Sequence, residues 1–543
     1  MILQIGHFCS VYMFVHIDFF YFTERGERIM YKQNPFGNPD GARADLKEIE
    51  YSFITDFPFG IQITKNQDEL LNKRVIVGSK GSGKTVYLRK IQSILKKELE
   101  NNFTGIYVDE RIDKNLNCTE WVVTFCDFFE KNALSEKWTR LWKTSILLSI
   151  SHKFLYDEKL KIYVTEDTGK LLKSIIEKHK LLLKCSCSVY QMFSTIMSVL
   201  DTKNKINNLI YSADIIQIEN ILQNILRNSP TIYIFLDSID IEYEHAPMQW
   251  LSCQKGLFYA IMTFLEEGTF GEKVHLIISL RDNVFTNILR SEHASKFINE
   301  THIFILDWKE SNIRAFLSQK IGGLNSCYFV EDAPQSKNIY SWLGIRELPN
   351  ELGQTEEITD FILRHTRLTP RDVIVVCNKL AELKKEYSNN KNLDIKKWVK
   401  DVVIANSKLF GAEMITICAK NINANCLPSG AGKDQYSDFY LMDKFFKKST
   451  YTQLLNLLKT LKSRKINWDV LCKFNELAIK EFNTDVHLID LLWNNGIIGC
   501  SNHDGDISYY AQQFQEDTLI PENKEAYQIR SCVCVKIGLN ELN

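Results

Sequence analysis

The sequence predicts an α/β protein, with a parallel sheet wound on both faces by helices, then a helical segment and a smaller α+β unit. Three observations predict it. Five short apolar runs, at 74–77, 105–108, 231–236, 274–280 and 302–306, have the unbroken hydrophobicity of strands buried on both faces. Helical periodicity fills the stretches between them, so strands and helices alternate. Beyond residue 306 the strand pattern stops, and two helical stretches precede a linker and a mixed C-terminal region.

Bulk composition sets the frame. The 543 residues suggest roughly three to four domains. Hydrophobic residues make up 45% and charged residues 24%, ample for packed cores without covalent staples. Sixty-six Lys and Arg against 67 Asp and Glu give a net charge of -1, so any nucleic-acid or membrane-binding surface must be local. The 14 cysteines sit mostly inside apolar stretches, and Cys185/Cys187 and Cys532/Cys534 are CxC pairs without a neighbouring His. They read as reduced core residues rather than metal ligands, which points to a reducing, cytoplasmic compartment.

The first 29 residues form a separate unit. Residues 2–22 are apolar enough to raise a membrane helix, but His7, His16 and Asp18 interrupt the run. Glu24-Arg25-Gly26-Glu27-Arg28 can be encoded wholly in purines ahead of Met30, as a ribosome-binding site would be. The favoured reading is therefore a start at Met30, with a membrane anchor as the alternative.

Residues 31–47 are a turn-rich lead-in containing Asn34-Pro35-Phe36-Gly37-Asn38-Pro39. The α/β core is expected over 30–306, with a helical insert at about 111–230. In that insert Trp138, Leu141, Trp142, Ile146 and Leu147 recur as a core-packing stripe. A helical lid is expected over 307–395, with helices at 308–320 and 357–384. The C-terminal region, 396–543, begins with a linker at 428–432. Helices at 444–463, 468–482 and 486–493 follow, then strands at 507–510 and 527–537. Helix, helix, strand, polar tip and strand make a winged-helix-like order.

The chemistry concentrates at Gly78-Ser79-Lys80-Gly81-Ser82-Gly83-Lys84-Thr85, which satisfies GxxxxGK[ST] between an apolar strand and a helix. Glycines let the backbone curl so that successive N–H groups face a phosphate, and the helix adds its positive end. Lys84 can reach β- and γ-phosphates, and the Thr85 hydroxyl suits Mg²⁺. Ser429-Gly430-Ala431-Gly432-Lys433-Asp434 lacks the final hydroxyl and the preceding strand, so it reads as a loop.

The run 232–236 ends in Asp237, a Mg²⁺-side carboxylate acting through the metal's water shell. Asp240 is the candidate to activate water, with Glu242 in reserve and a helix-capping role as the bland alternative. Arg281, in Ser279-Leu280-Arg281-Asp282, can sense the γ-phosphate or simply make a surface ion pair. Arg371, in Arg367-Leu368-Thr369-Pro370-Arg371-Asp372, can lean over the nucleotide or hold a structural ion pair.

Loop, Leu-Asp-Ser-Ile-Asp, Ser-Leu-Arg-Asp and the Pro-Arg-Asp helix occur in that order over about 70–385. Together they resemble the STAND/AAA+ branch of P-loop ATPases, and more narrowly a bacterial family of stand-alone members of unassigned function. The resemblance implies a P-loop core with strand order 5-1-4-3-2, a helical lid and a winged helix. It makes Asp237 the Mg²⁺ acid, Arg281 the residue after the fourth strand and Arg371 the lid arginine. Two features depart from it: Ser238 stands where many AAA+ proteins carry a glutamate, and no repeat sensor follows.

The function expected is an ATP-hydrolysing switch using ATP and Mg²⁺, with stress or phage defence as a setting by family analogy. A homo-oligomer and a protein or DNA partner at the C-terminal domain are the expected associations; membrane attachment is disfavoured. The competing class is a DNA-bound regulator or loader. Lys444, Lys447, Lys448, Lys459, Lys462, Arg464 and Lys465 form a basic cluster for it, yet the recognition helix has Asp490 and no Lys or Arg. A membrane-tethered interaction protein is the third class, tied to residues 1–29.

Overall fold

The computed structural model describes residues 19–22, 28–31, 34–45, 72–102, 105–108, 119–237, 246–289, 294–297, 300–330, 336–350, 353–389, 394–426, 450–482, 487–501, 507–509, 520–522 and 524–540. Most of the apolar run at 2–22 falls outside them, although its end, Phe19–Phe22, pairs antiparallel with Arg28–Tyr31, the strand that contains Met30. Asp240, Glu242, the linker at 428–432 and the loop-like Ser429–Asp434 segment also lie outside the described residues.

The five apolar runs become strands β1 (Val75–Gly78), β2 (Gly105–Val108), β3 (Thr231–Leu236), β4 (Val274–Arg281) and β5 (Ile303–Leu306). All neighbours are parallel, and the order across the sheet is β2-β3-β4-β1-β5. Read from the other edge it is 5-1-4-3-2. Alternate residues face opposite cores. Val75 and Val77 belong with Ile232, Ile234, Ile278 and Leu280 to one, while Ile76, Phe235, Ile277 and Phe304 belong to the other. Burial on both faces is why these runs read as continuous hydrophobic stretches.

The insert covers the first face. Among the described residues it contains six α-helices, from Thr119–Phe128 to Ala213–Asn228. Several begin at side-chain caps: Thr165, Thr202 and Ser212 accept from the N–H three residues on, and Ser188 makes a reciprocal box with Gln191. The predicted stripe of Trp138, Leu141, Trp142, Ile146 and Leu147 is wholly buried, so it is core. Trp142 stacks on Phe193 with centroids 4.2 Å apart.

Helix α1 (Lys84–Asn102) and the lid cover the second face. The lid helix expected at 308–320 is α2 (Glu310–Gly322). The single helix expected at 357–384 is instead two, α3 (Ile358–Arg364) and α4 (Pro370–Asn389). Pro370 supplies no N–H and disfavours helical backbone before it, and Leu368 takes a left-handed φ of 57°. The chain therefore turns sharply at 365–369.

A 32-residue helix, α5 (Ile395–Cys426), follows, where no particular helix was predicted. Its stretch Ile395–Ile422 is the one described helix long and apolar enough to cross a membrane, and half of its apolar window is buried inside the protein. Residues 450–458 are helical, followed by β6 (Lys465–Ile466), α6 (Trp468–Phe482), α7 (Leu488–Asn494), β7 (Ile498–Ser501), β8 (Ile507–Tyr509) and β9 (Tyr527–Ile529). The antiparallel order is β6-β9-β7-β8. The strand expected over 527–537 stops at Ile529, and Ser531–Ile537 is helix α8. This helix crosses α5 so closely that a Cβ at Gly411 would meet the Cys532 carbonyl oxygen at 2.1 Å. Its apolar residues serve a helix–helix contact rather than a sheet, which a β-branched composition alone does not reveal.

Candidate functional site

The carboxyl edge of the parallel sheet gathers most of the residues singled out by sequence. The loop leaves β1 at Gly78 and enters α1 at Lys84, with φ of 91° at Gly81 and 98° at Gly83. Only glycine takes such angles without strain. A Cβ at Gly81 would also stand 3.2 Å from both Thr369 Oγ1 and Arg371 Cβ. Trp308 Nε1 donates to the Ser82 carbonyl at 2.8 Å, fixing the tip of the loop from beneath. Lys84 Nζ folds back onto the carbonyl oxygens of Gly78 (2.8 Å) and Ser79 (3.0 Å). Thr85 follows in the first turn of α1, partly exposed. The Ser82 hydroxyl is buried and makes no hydrogen bond within the protein.

Register brings the other strand ends alongside. Gly78 is level with Arg281, and Ile76 with Ser279. Ser279 Oγ donates to Asp237 Oδ1 at 2.6 Å, which orients the carboxylate that ends β3. Asp237 thus ends β3, and Thr85 follows the loop that leaves β1, both at the carboxyl side of the sheet. Arg281 is buried rather than on the surface, so the surface ion-pair alternative does not hold. In the adjacent Asp282, burial pushes the carboxyl up, and the opposing pull of the Lys84 charge does not reverse it.

The lid reaches the loop from the opposite side. The Arg371 backbone N–H points at the Gly81 carbonyl at 3.4 Å, and its Nε donates to Pro39 O at 3.3 Å. Its guanidinium thus ties the lead-in turn to the lid. That lead-in is anchored further by Phe36 N–H to Asn378 Oδ1 (3.0 Å) and Asn378 Nδ2 to Gly37 O (2.9 Å).

Four residues that sequence reasoning did not select also meet here. Arg367 pairs with Asp372 at 2.7 Å and with Glu413 of α5 at 3.0 Å, and Glu413 also takes Lys80 of the loop at 3.0 Å. Burial pushes the Glu413 carboxyl up, but Arg367 and Lys80 outweigh it and hold it below the usual range. Arg530 and Asn494 come from the C-terminal domain. Arg281, Arg367, Arg530, Lys80 and Asn494 all line one cavity of about 150 Å³ beside the loop. Arg367 lay in a motif already noticed for Arg371. Arg530 and Asn494 sit in stretches with no chemical pattern, and only the docking of the domain brings them near.

Comparison with protein-family models, with curated proteins and with solved structures gives no match. The functional argument therefore stands on the loop and its surroundings.

Proposed function

We propose that this chain is an ATP-binding, slowly hydrolysing switch built on a P-loop core of the STAND/AAA+ kind. The observation that carries this reading is the loop: a complete GxxxxGK[ST] motif, curled by two left-handed glycines at the carboxyl edge of a parallel sheet and opening a 19-residue helix. A backbone so curled and the positive end of that helix suit the β-phosphate, and Lys84 is close enough to exchange its carbonyl contacts with Gly78 and Ser79 for phosphate oxygens.

Mg²⁺ fits the same residues. Among the described residues no cluster of three or more His, Cys, Asp or Glu could hold a metal alone. Magnesium at such a loop needs no cluster, because it takes oxygens from phosphate and water and only one or two from protein. Thr85 and the Ser279-oriented Asp237 would supply those; the bound ion neutralises phosphate charge. Asp240 is the proposed base, Arg281 faces the γ-phosphate side, and Arg371 joins lid to loop. The Lys80–Glu413–Arg367 bridge supports coupling, since one carboxylate of α5 joins loop and lid. By family analogy the setting is stress or phage defence.

A DNA-bound regulator is the second reading, favoured by one observation. With β6 before α6 and α7, and β7 to β9 after them, the antiparallel order β6-β9-β7-β8 is compatible with a winged helix carrying an added edge strand. The end of α7, however, lines the cavity beside the loop, and α7 carries no Lys or Arg to meet phosphates. ATP turnover measured with and without duplex DNA, across salt, separates the two readings. Turnover indifferent to DNA supports the switch. DNA stimulation that collapses as salt rises supports the regulator.

A further inference from the structure

The chain holds two CxC pairs, and the fold gives them opposite environments. Cys532 and Cys534 are fully buried on helix α8. Two such positions on a helix point about 200° apart around its axis, which keeps their sulfurs from bonding. Cys185 and Cys187 lie instead in the non-helical segment 181–188, between the helices Glu166–Lys178 and Val189–Val199. Outside a helix, Cα atoms two residues apart stand roughly 5.5–7 Å from each other, which overlaps the separation of about 4.4–6.8 Å that a disulfide spans. Cys185 is the one exposed cysteine among those whose side chains are described, so it departs from the core reading of the cysteines. Cys187 is 3% exposed and belongs to the core of the insert. Among the described residues no third His, Cys, Asp or Glu joins the pair to hold a metal, so its chemistry is that of two thiols.

The helix Lys131–Tyr156 fixes the main chain of this segment. Ser149 Oγ and Lys153 Nζ both donate to the Cys187 carbonyl, at 2.9 and 3.0 Å, and His152 Nε2 lies 3.2 Å from the Leu181 carbonyl. Directly after Cys187, Ser188 caps the helix Val189–Val199. The Gln191 N–H donates to Ser188 Oγ and the Ser188 N–H to Gln191 Oε1, both at 3.0 Å. That helix carries Phe193, which stacks on Trp142 inside the insert. The Cys187 side chain therefore cannot turn outward without straining the cap and leaving a void in the core.

We propose that Cys185 and Cys187 form a peroxide-responsive modification site, whose closure to a disulfide loosens the insert at the start of the helix Val189–Val199. The Cys185 sulfur attacks one oxygen of hydrogen peroxide and the O–O bond breaks. The second oxygen leaves as water with the thiol proton, and Cys185 becomes a sulfenic acid. The Cys187 sulfur then attacks the Cys185 sulfur, the S–O bond breaks, and hydroxide leaves as water with the Cys187 proton. Two thiols have lost two electrons and two protons, and one peroxide has become two waters. A small dithiol reverses the change. Closing the bond draws the Cys187 sulfur out of the core, so the disulfide form carries a void that the dithiol form lacks. Nothing in these steps uses the 78–85 loop.

The test treats the full chain with hydrogen peroxide, quenches it with catalase, alkylates in denaturant and digests with trypsin. Cleavage after Lys184 and Lys203, and after Arg530 and Lys536, isolates each CxC pair on its own peptide. The 185–203 peptide should appear two hydrogens lighter and unalkylated, and become doubly alkylated once dithiothreitol is added. The 531–536 peptide should stay doubly alkylated throughout. Cys185→Ser, at an exposed position, should fold normally and abolish the change. Cys187→Ala should leave a sulfenic acid at Cys185 that dimedone captures. Hydrogen exchange of 189–199 should quicken by about tenfold or more in oxidised wild type, the scale of a small void in a core, and not in peroxide-treated Cys185→Ser. A 185–203 peptide that stays doubly alkylated overturns the proposal. So does Cys185 joined to a second copy of the chain, or oxidised to sulfinic acid beside an intact Cys187. A disulfide that leaves exchange at 189–199 unchanged overturns the loosening of the insert.

Discussion

Lys84→Ala tests the centre of the argument. Among the described residues the ammonium donates to two neutral carbonyls, at 2.8 and 3.0 Å, from a partly exposed side chain. Such contacts contribute roughly 1 kcal/mol each or less, so the fold should lose no more than about 2 kcal/mol. Bound to outer phosphate oxygens, the same ammonium makes contacts between full charges, worth about 1.5–3 kcal/mol each. Two of them amount to roughly 3–6 kcal/mol, a loss of at least ~10² in affinity. Isothermal titration with ATP–Mg²⁺, beside urea unfolding of the same sample, measures both quantities. A folded variant with undiminished ATP affinity would refute the reasoning, because the loop would not then be the phosphate site.

Three further outcomes follow from the same structure. Asp237→Asn should weaken Mg²⁺-dependent ATP binding and stop turnover, whereas Asp240→Asn should bind ATP–Mg²⁺ yet hydrolyse it at least ~10²-fold more slowly; single-turnover assays decide between them, and normal hydrolysis in Asp240→Asn moves the role to Glu242. His275 is packed edge-on against Tyr233, and burial together with the Arg74 charge lowers its pKa to about 3. A depressed base stays neutral in the fold while the unfolded chain protonates below about 6.5, so stability should fall by about 2 kcal/mol at pH 5, and His275→Phe should flatten that slope in urea titrations. Trp142→Ala removes a 0%-exposed ring that stacks on Phe193 and donates to the Cys253 carbonyl at 2.9 Å, so unfolding of the insert should lose about 3–5 kcal/mol; a loss below about 1 kcal/mol would mean the insert repacks.

Legibility differed by region for physical reasons. The five sheet strands could be read almost to the residue because strands buried on both faces exclude polar side chains. Val274–Arg281 shows it, polar only at His275, Ser279 and the terminal Arg281. The loop could be read because two fixed positions demand glycine, Gly83 for its left-handed backbone and Gly78 for the close approach of Ser82. The region after Leu306 was harder. The break between Arg364 and Pro370 hinged on one proline and one left-handed leucine, a signal too local for periodicity to expose. Helix Ser531–Ile537 was mistaken for strand because its cysteines and valines are buried against α5, and burial hides helical amphipathicity.

By itself the sequence determined what depends on neighbours along the chain: the strand–loop–helix unit and the alternation that makes an α/β core. Those follow from backbone sterics and from hydrophobic periods, which act over a few residues. Only the tertiary structure decided which distant side chains share one cavity. Glu413 reaches Lys80 and Arg367 because α5 packs across the lid, and Arg530 lines the same cavity as Ser79 and Lys80 because the C-terminal domain packs there. Separations of 333 residues between Lys80 and Glu413, or of 450 between Lys80 and Arg530, leave no trace in local pattern. A charge is indifferent to sequence distance and answers only to distance in space, so its partners are set by packing.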